Sequence, residues 1–215
     1  MHAIAPSFEN KFAIIVRLLA LNPRAASKLR GKNAPRIGTA DYILIAAQKF
    51  ASGRAARHPK PPATVPDEMV SFVLEYYFDV PSESLDRVRK GHKLSMGAEN
   101  IVGDLLERYV AKTMEKAGWV WCSASLIKGV DFVKPPRSKA ENWILLQVKN
   151  RDNSENSSSS AIRSGTTIKK WHRTFSRRAG TNWSAFPDAE VRDKLSESGF
   201  RDFAKTYLRE LRQTT

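Results

Sequence analysis

Cysteine is almost absent from the sequence, since Cys122 is the only one among 215 residues. A single cysteine cannot form an intramolecular disulfide, and it excludes zinc sites built on paired cysteines. Long apolar runs are missing as well: the longest, residues 12–21, contains Arg17 and is shorter than the ~20 residues of a membrane-spanning helix. The N-terminus shows no basic segment followed by an apolar stretch, so we expect a cytoplasmic protein without membrane association.

Acidic residues are scarce relative to basic ones. Lys and Arg number 36 and Asp and Glu number 22, which gives a formal net charge of +14 and an isoelectric point near 10.1. Such an excess predicts a polyanionic partner, and nucleic acid is the commonest one. Hydrophobic residues make up 41% of the chain, which is enough for a buried core and well above the range of disordered proteins.

Prolines mark the clearest boundary along the chain. Four of them fall within residues 58–66, and they predict an extended connector. We therefore divide the chain into a helical N-terminal region, residues 1–62, and a second domain, residues 63–215, which contains the candidate functional residues described below. The spacing of apolar residues predicts helices over residues 8–21, 39–52, 67–78, 95–117 and 188–212.

Three segments after the 95–117 helix have the composition of β-strands. They cover residues 119–123, 129–133 and 143–149. The third is almost entirely apolar, which is typical of a central strand covered on both faces. A polar segment follows it before the last helix. Together these elements predict an α/β fold in which helices flank a small mixed sheet.

Polar residues suited to cation binding lie in two of these strands. Asp131 lies in the second strand, and Gln147 and Lys149 end the third, where strand alternation puts both on one face. Oxygen ligands suit Mg²⁺, which is a hard ion, and a lysine can orient or help deprotonate an attacking water. The pattern therefore indicates hydrolysis of a phosphodiester beside a divalent cation.

The same residues resemble a known nuclease signature. Asp131 and Gln147-x-Lys149, after a helix that carries Gly103-x-x-Leu-Glu107, are similar to the motif of the PD-(D/E)XK nucleases. Glutamine stands where that motif has its second acid, and Val130 stands where it has proline.

Longer segments are similar to one branch of these nucleases. Residues 105–133 and 146–174, together with Lys60-Pro-Pro and the segment that begins at Val65, resemble the SinI-type type II restriction endonucleases. The resemblance implies a PD-(D/E)XK core and a Mg²⁺-dependent enzyme that cuts double-stranded DNA at a short specific site similar to GGWCC. It also implies a two-fold symmetric homodimer and a DNA methyltransferase in the same system.

The resemblance implies a metal site of four ligands. Asp131 and Gln147 would bind Mg²⁺, the carbonyl of Val148 would complete the shell, and one helix acid would add a carboxylate. The motif and the spacing to the helix end favour Glu107. The helical periodicity, at about 100° per residue, instead places Glu99 closer to the apolar face. We rank Glu107 first and keep Glu99 as the alternative.

The polar segment after Lys149 is expected to contact DNA and to recognise its sequence. Arginine, asparagine and acidic side chains hydrogen-bond to base edges, whereas lysines and arginines in an acid-free run typically bind phosphates. The residues in question are Asn150, Arg151, Asn153, Glu155 and Asn156 for the bases, and Arg163, Lys169, Lys170 and Arg173 for the phosphates. The histidines, His172 among them, have no metal-ligand spacing, and we expect each to be solvated or to face a phosphate.

Two other functions fit parts of this pattern. A structure-specific DNA repair or junction nuclease of the same fold would share the metal site but would not cut duplex DNA into discrete fragments. A non-catalytic basic DNA-binding protein would bind in a salt-sensitive manner and cleave nothing when Mg²⁺ is added.

Overall fold

A computed structural model of the protein describes residues 6–152 and 167–213. Its helices are α1 (Glu9–Leu21), α2 (Ala40–Arg54), α3 (Glu68–Tyr76), α4 (Leu85–Met114), α5 (Ala189–Arg192) and α6 (Glu197–Gln213). Its strands are β1 (Val120–Trp121), β2 (Phe132–Lys134), β3 (Ile144–Arg151) and β4 (Lys169–Thr174). None of the helices in these two ranges is both long and apolar enough to cross a membrane.

The four strands form one small sheet in the order β1-β2-β3-β4. The pairs β1–β2 and β2–β3 are antiparallel, whereas β3 and β4 are parallel. Phe132 lies opposite Trp121 on one side and Leu146 on the other. The predicted α/β architecture with a small mixed sheet is therefore confirmed.

Two different sets of aromatic and aliphatic residues cover the faces of the sheet. Trp171 of β4 packs on one face against Trp183 and Phe186, with ring centroids 5.0 Å apart in both pairs. On the other face, α1 and α2 close a core that they share with the strands. This core includes Phe12, Ile15, Phe50, Val120, Cys122 and Val133. Cys122 is thus a buried strand-end residue.

The shared core unites the N-terminal helices with the sheet. One compact unit consists of Met1–Ala56 and Leu106–Thr215, and a second consists of Arg57–Leu105. The predicted division between residues 62 and 63 stays a prediction. Burial of each large apolar side chain contributes about 1.5–3 kcal/mol, so α1 and α2 gain more from packing on the sheet than from standing alone.

Several helix boundaries differ from the sequence analysis. The predicted 95–117 helix begins ten residues earlier, at Leu85, and a 3-10 turn extends it from Glu115 to Ala117. Gly118 then ends it with φ of 83°, a left-handed conformation that glycine adopts without strain. The predicted 188–212 helix is divided into α5 and α6, and Ser196 caps the second of them, because its hydroxyl accepts the N–H of Gly199 at 3.0 Å.

Candidate active site

Asp131 lies immediately before β2, where backbone hydrogen bonds hold it to both neighbouring strands. Its N–H donates to the Leu146 carbonyl at 2.9 Å, and its carbonyl accepts the Cys122 N–H at 2.8 Å. The side-chain Oδ2 accepts the N–H of Val148 at 2.8 Å. These three bonds fix both the backbone and the carboxylate of Asp131 against β3.

Gln147 and Lys149 share a face of the sheet, because they lie two residues apart on β3. Asp131 lies one residue before the paired part of β2, which runs from Phe132 to Lys134. Its carboxylate accepts the Val148 N–H, and Lys149 is near enough for its positive charge to lower the Asp131 pKa. The structure therefore brings Asp131 next to the segment of β3 that carries Gln147 and Lys149.

The environment of Asp131 favours a nearby positive charge. Burial raises the pKa of the Asp131 carboxyl to about 6, while the hydrogen bond from the Val148 N–H and the positive charge of Lys149 lower it. Ionisation of this carboxyl is costly in the protein alone because burial removes water from the charged form. A cation bound beside Asp131 would offset that cost.

The side chain of Gln147 is the most informative polar group of the site. Gln147 is only 4% exposed, and its Oε1 is buried without a hydrogen-bond partner among the described residues. A buried amide oxygen left unsatisfied costs about 1–3 kcal/mol. Amide oxygens are among the ligands that hard divalent cations bind, so the Gln147 side chain fits a cation ligand.

The candidate metal ligands are the carboxylate of Asp131 and the amide oxygen of Gln147. Across residues 6–152 and 167–213, no group of three or more histidine, cysteine or acidic side chains is placed to hold a metal ion. Asp131 and Gln147 nevertheless supply the oxygen atoms that Mg²⁺ prefers, and Asp131 contacts β3 at Val148, the residue after Gln147. The described residues therefore fit a hard cation through Asp131 and Gln147.

Of the two helix acids, Glu107 belongs to the same compact unit as Asp131. Its Oε2 accepts the indole N–H of Trp121 at 2.8 Å. Burial raises the pKa of the Cys122 thiol well above its usual range, and the negative charges of Asp131 and Glu107 add to the rise. Both carboxylates thus act on one buried thiol. Glu99 is exposed and belongs to the second unit, Arg57–Leu105.

His172 is a site residue that sequence reasoning misses. It is the register partner of Lys149 in the parallel pair β3–β4, so both side chains project from the same face. Its Nε2 is buried and has no hydrogen-bond partner within the described part of the chain. This nitrogen is thus not solvated, and the other alternative stated above, that His172 faces a phosphate, stays a prediction. No sequence signal reveals it, because β4 itself is not predicted.

Asn150 and Arg173 are used inside the protein. The Arg173 guanidinium donates to Asn150 Oδ1 at 3.0 Å and to Glu197 Oε1 at 2.6 Å, and its side chain is 14% exposed. The Asn150 carbonyl also accepts the hydroxyl of Thr174 at 2.8 Å. Without DNA, a neighbouring carboxylate therefore neutralises Arg173; that Asn150 reads bases and Arg173 binds phosphate stays a prediction.

Three other predicted DNA-binding residues lie at the surface. Arg151 ends β3, and Lys169 and Lys170 begin β4; all three are exposed. Lys170 is the register partner of Gln147, so it shares the face of the candidate active site. The remaining predicted contacts, Asn153, Glu155, Asn156 and Arg163, lie outside the described residues.

Comparison with known proteins places this site in an enzyme family. The profile of the SinI restriction endonuclease family matches residues 1–210. The chain belongs to the SinI restriction endonuclease family. It is 49% identical over 213 residues to the type II restriction enzyme SinI of Salmonella infantis, covering 99% of this chain and 92% of that protein. It is also 50% identical over 209 residues to the type II restriction enzyme Eco47I of Escherichia coli, covering 97% and 90%.

Membership of the SinI restriction endonuclease family confirms the resemblance noted in the sequence. It also confirms the predicted enzyme class, a site-specific deoxyribonuclease, over nearly the whole chain. The roles of individual site residues follow from the geometry above and not from the family assignment.

Proposed function

We propose that this SinI-family protein is a type II restriction endonuclease that hydrolyses double-stranded DNA at a short specific site with the help of Mg²⁺. Asp131, Gln147, the carbonyl of Val148 and Glu107 would hold the ion. The observation that carries the proposal is the buried Gln147 Oε1, which has no hydrogen-bond partner among the described residues and lies on the strand segment whose Val148 N–H binds the Asp131 carboxylate. Glu99 remains the alternative helix acid.

The residues of the chain have distinct tasks in this reaction. Bound at these oxygens, a divalent cation supplies Lewis-acid stabilisation of the charge that develops on the scissile phosphate. Lys149 donates a hydrogen bond to the attacking water and orients it, and its charge favours the ionised form of Asp131. The Val148 N–H holds the Asp131 carboxylate in one orientation, so little reorganisation accompanies the attack.

Glutamine at position 147 sets the charge of the site. It keeps an oxygen ligand but carries no negative charge, in contrast to the acid at the same place in the usual motif. The free protein should therefore bind the cation weakly, because affinity rises with the number of charged ligands. Oxygens of the scissile phosphate would restore the missing charge, so we expect cation and DNA to bind cooperatively.

The exposed basic residues near the site fall into two groups, those that contact base edges and those that bind phosphates. Arg151 leaves the catalytic strand directly and is placed to contact base edges, whereas Lys169 and Lys170 are suited to phosphates. We propose a target similar to GGWCC, cleaved by a homodimer in the cytoplasm. A DNA methyltransferase of the same system would protect host DNA without forming a stable complex with the enzyme.

Digestion of a plasmid of known sequence tests the proposal. We expect discrete fragments when Mg²⁺ is present, none when a chelator replaces it, and identical short sequences at all fragment ends. A Lys149→Ala variant, which should bind but not cut, is the control for a contaminating nuclease. Cleavage only at branched or damaged DNA would favour a structure-specific nuclease, and binding without cleavage would favour a non-catalytic protein.

A further inference from the structure

The second unit exposes a large apolar surface on α3 and the residues that follow it. We call this surface the α3 face. Tyr76 is 70% exposed and Tyr77 is 77% exposed, although both are large aromatic residues. The α3 face consists of Met69, Val70, Phe72, Val73, Tyr76, Tyr77 and Phe78, each at least 46% exposed. Soluble monomers rarely leave so many neighbouring apolar side chains in water, and such patches mark interaction sites.

The side chains of the α3 face are ordered against each other. The rings of Phe72 and Tyr76 lie 4.4 Å apart, and those of Tyr77 and Phe78 lie 4.9 Å apart, edge to face. The helix that carries them is capped by Asp67, which accepts the Met69 N–H at 2.9 Å. A rigid helix with stacked rings loses little conformational entropy on binding, which favours a specific contact.

The charge around the α3 face excludes DNA as its partner. Residues 67–86 contain six acidic residues and no lysine or arginine, although the whole chain carries +14. A phosphate backbone would be repelled by this segment. The first turns of α4 carry the opposite charge, with Arg87, Arg89, Lys90 and Lys93. Arg87 and Lys90 are exposed, so acidic and basic surfaces belong to the same unit.

The second unit also contains a recess that could receive an apolar side chain. A groove of about 410 Å³ is lined by Val70 and Leu74 of α3 and by Val88, His92 and Met96 of α4. The unit therefore presents protruding aromatic rings, a recess, an acidic segment and a basic segment. An interface between identical copies requires this kind of self-complementary surface, since each copy offers the same patch to the other.

We propose that the α3 face binds the same surface of a second copy of this chain, with the acidic segment 67–86 of each copy against the basic start of α4 of the other. The inference rests on the proposed function only in its choice of partner, because a palindromic site requires two copies related by a two-fold axis. The exposed apolar area of the α3 face is on the order of 800 Å², given that aromatic side chains bring 150–250 Å² each. Standard interfaces bury roughly this area on each partner.

Sedimentation of the full chain tests the interface directly. We expect the wild-type protein to be dimeric at micromolar concentration, and Phe72→Glu and Tyr76→Glu each to weaken the dimer by at least about 100-fold, since a charge would be buried without a partner among apolar side chains. Leu44→Glu and Leu21→Glu are matched controls, because Leu44 is 51% exposed like Phe72 and Leu21 is 68% exposed, close to Tyr76. Both controls should remain dimeric.

A charge exchange tests the two-fold arrangement without disturbing the apolar residues. The quadruple variant Glu68→Lys, Glu75→Lys, Asp79→Lys and Glu83→Lys changes the charge of residues 67–86 from −6 to +2, so both surfaces are then basic. The triple variant Arg87→Glu, Lys90→Glu and Lys93→Glu changes the charge of residues 87–93 from +4 to −2, so both surfaces are then acidic. Each should be monomeric alone, and an equal mixture should form a heterodimer, because both contacts are then complementary. A folding defect could not be rescued by mixing.

Several results would overturn the inference. These are a wild-type protein that is monomeric both free and on DNA, a Phe72→Glu variant as dimeric as wild type, or a mixture of the charge variants that stays monomeric. Cleavage of plasmid DNA, measured on the same samples, separates this outcome from failure of the proposed function. A monomer that still cuts at a specific site would remove the interface and leave the restriction activity intact.

Discussion

Lys149 and His172 are register partners on the parallel strands β3 and β4, and their side chains project from the same face of the sheet. Their positions in the sequence are 23 apart, with a polar block between them, and only the strand pairing brings them together. The candidate active site is therefore built on three strands, because β4 contributes to it beside β2 and β3.

The partner of His172 Nε2 should be a polar group that arrives with DNA. Loss of a buried hydrogen bond costs about 1–3 kcal/mol, so His172→Ala should lower the single-turnover cleavage rate by roughly 5- to 150-fold. Cognate DNA binding should change much less. His92→Ala, at an exposed histidine of the second unit, is the control and should cleave like wild type. Equal cleavage by both variants would exclude His172 from the site.

Lys149→Ala should abolish cleavage and leave specific DNA binding near the wild-type level. The lysine acts on the attacking water, and it contributes only a small part of the contacts between the protein and the DNA duplex. Gel-shift and cleavage assays on one cognate fragment separate the two effects. Lys139→Ala, at an exposed lysine outside the described strands, serves as the charge-matched control. Cleavage within a few-fold of wild type would remove Lys149 from the catalytic machinery.

Substitutions of Gln147 should separate its effect on the free energy of unfolding from its effect on Mg²⁺ binding. Gln147→Leu should stabilise the metal-free protein against urea by about 1–2 kcal/mol, because a buried unsatisfied oxygen is removed, and it should abolish cleavage. Gln147→Glu should tighten Mg²⁺ binding, measured by calorimetry, and preserve some activity. Gln147→Ala should lose most activity. Equal, mild effects of all three changes on cleavage would indicate a structural residue.

The raised pKa of Asp131 predicts how stability depends on pH when metal is absent. In the folded protein this pKa is about 6, against an ordinary value of 3.8, so the folded state binds more protons between these values. Stability should therefore fall as pH rises from about 4 to 6, by up to about 3 kcal/mol. Asp131→Asn should remove this decline and stabilise the protein at pH 7 in a chelator, as measured by urea unfolding. Asp193→Asn, at an exposed acid, should leave the decline unchanged.

Arg151 and the two lysines that begin β4 should differ in their effect on specificity. Arg151→Ala should weaken binding to the cognate site by ~1–3 kcal/mol more than binding to random duplex, because the alanine cannot hydrogen-bond to a base edge. Lys169→Ala and Lys170→Ala should weaken both equally, and each should reduce the salt dependence of log K by about 0.9 if that lysine neutralises one phosphate. If Arg151→Ala lowered the affinities for cognate and random DNA equally, Arg151 would not be a residue that recognises bases.

The sequence was sufficient to predict elements whose signals are local. The 143–149 strand is apolar throughout most of its length, and Gly118 ends α4 as its position after the last apolar residue predicts. β4 has no such signal, because only Trp171 among its six residues is buried. Its charged neighbours leave no alternation of apolar and polar residues that would indicate a strand. Its identity as a strand depends on parallel pairing with β3 across a long connection.

The roles of side chains could likewise be predicted only where they depend on local sequence and not on contacts between distant segments. Asp131, Gln147 and Lys149 follow a short sequence motif, and the common face of Gln147 and Lys149 can be deduced from alternation along one strand. The pairing of Arg173 with Glu197 joins β4 to α6, and nothing in the local sequence indicates that this arginine is neutralised internally. A count of basic residues therefore overestimates the number that can contact phosphate.

The hydrogen bonds that hold Asp131 belong to the sheet itself. Cys122, Asp131 and Leu146 are joined in one row across three chain segments, and the carboxylate is oriented by the N–H of Val148. A chain in which these segments have not yet paired lacks the bonds that orient the Asp131 carboxylate, so the orientation of this carboxylate and the pairing of the three segments arise together.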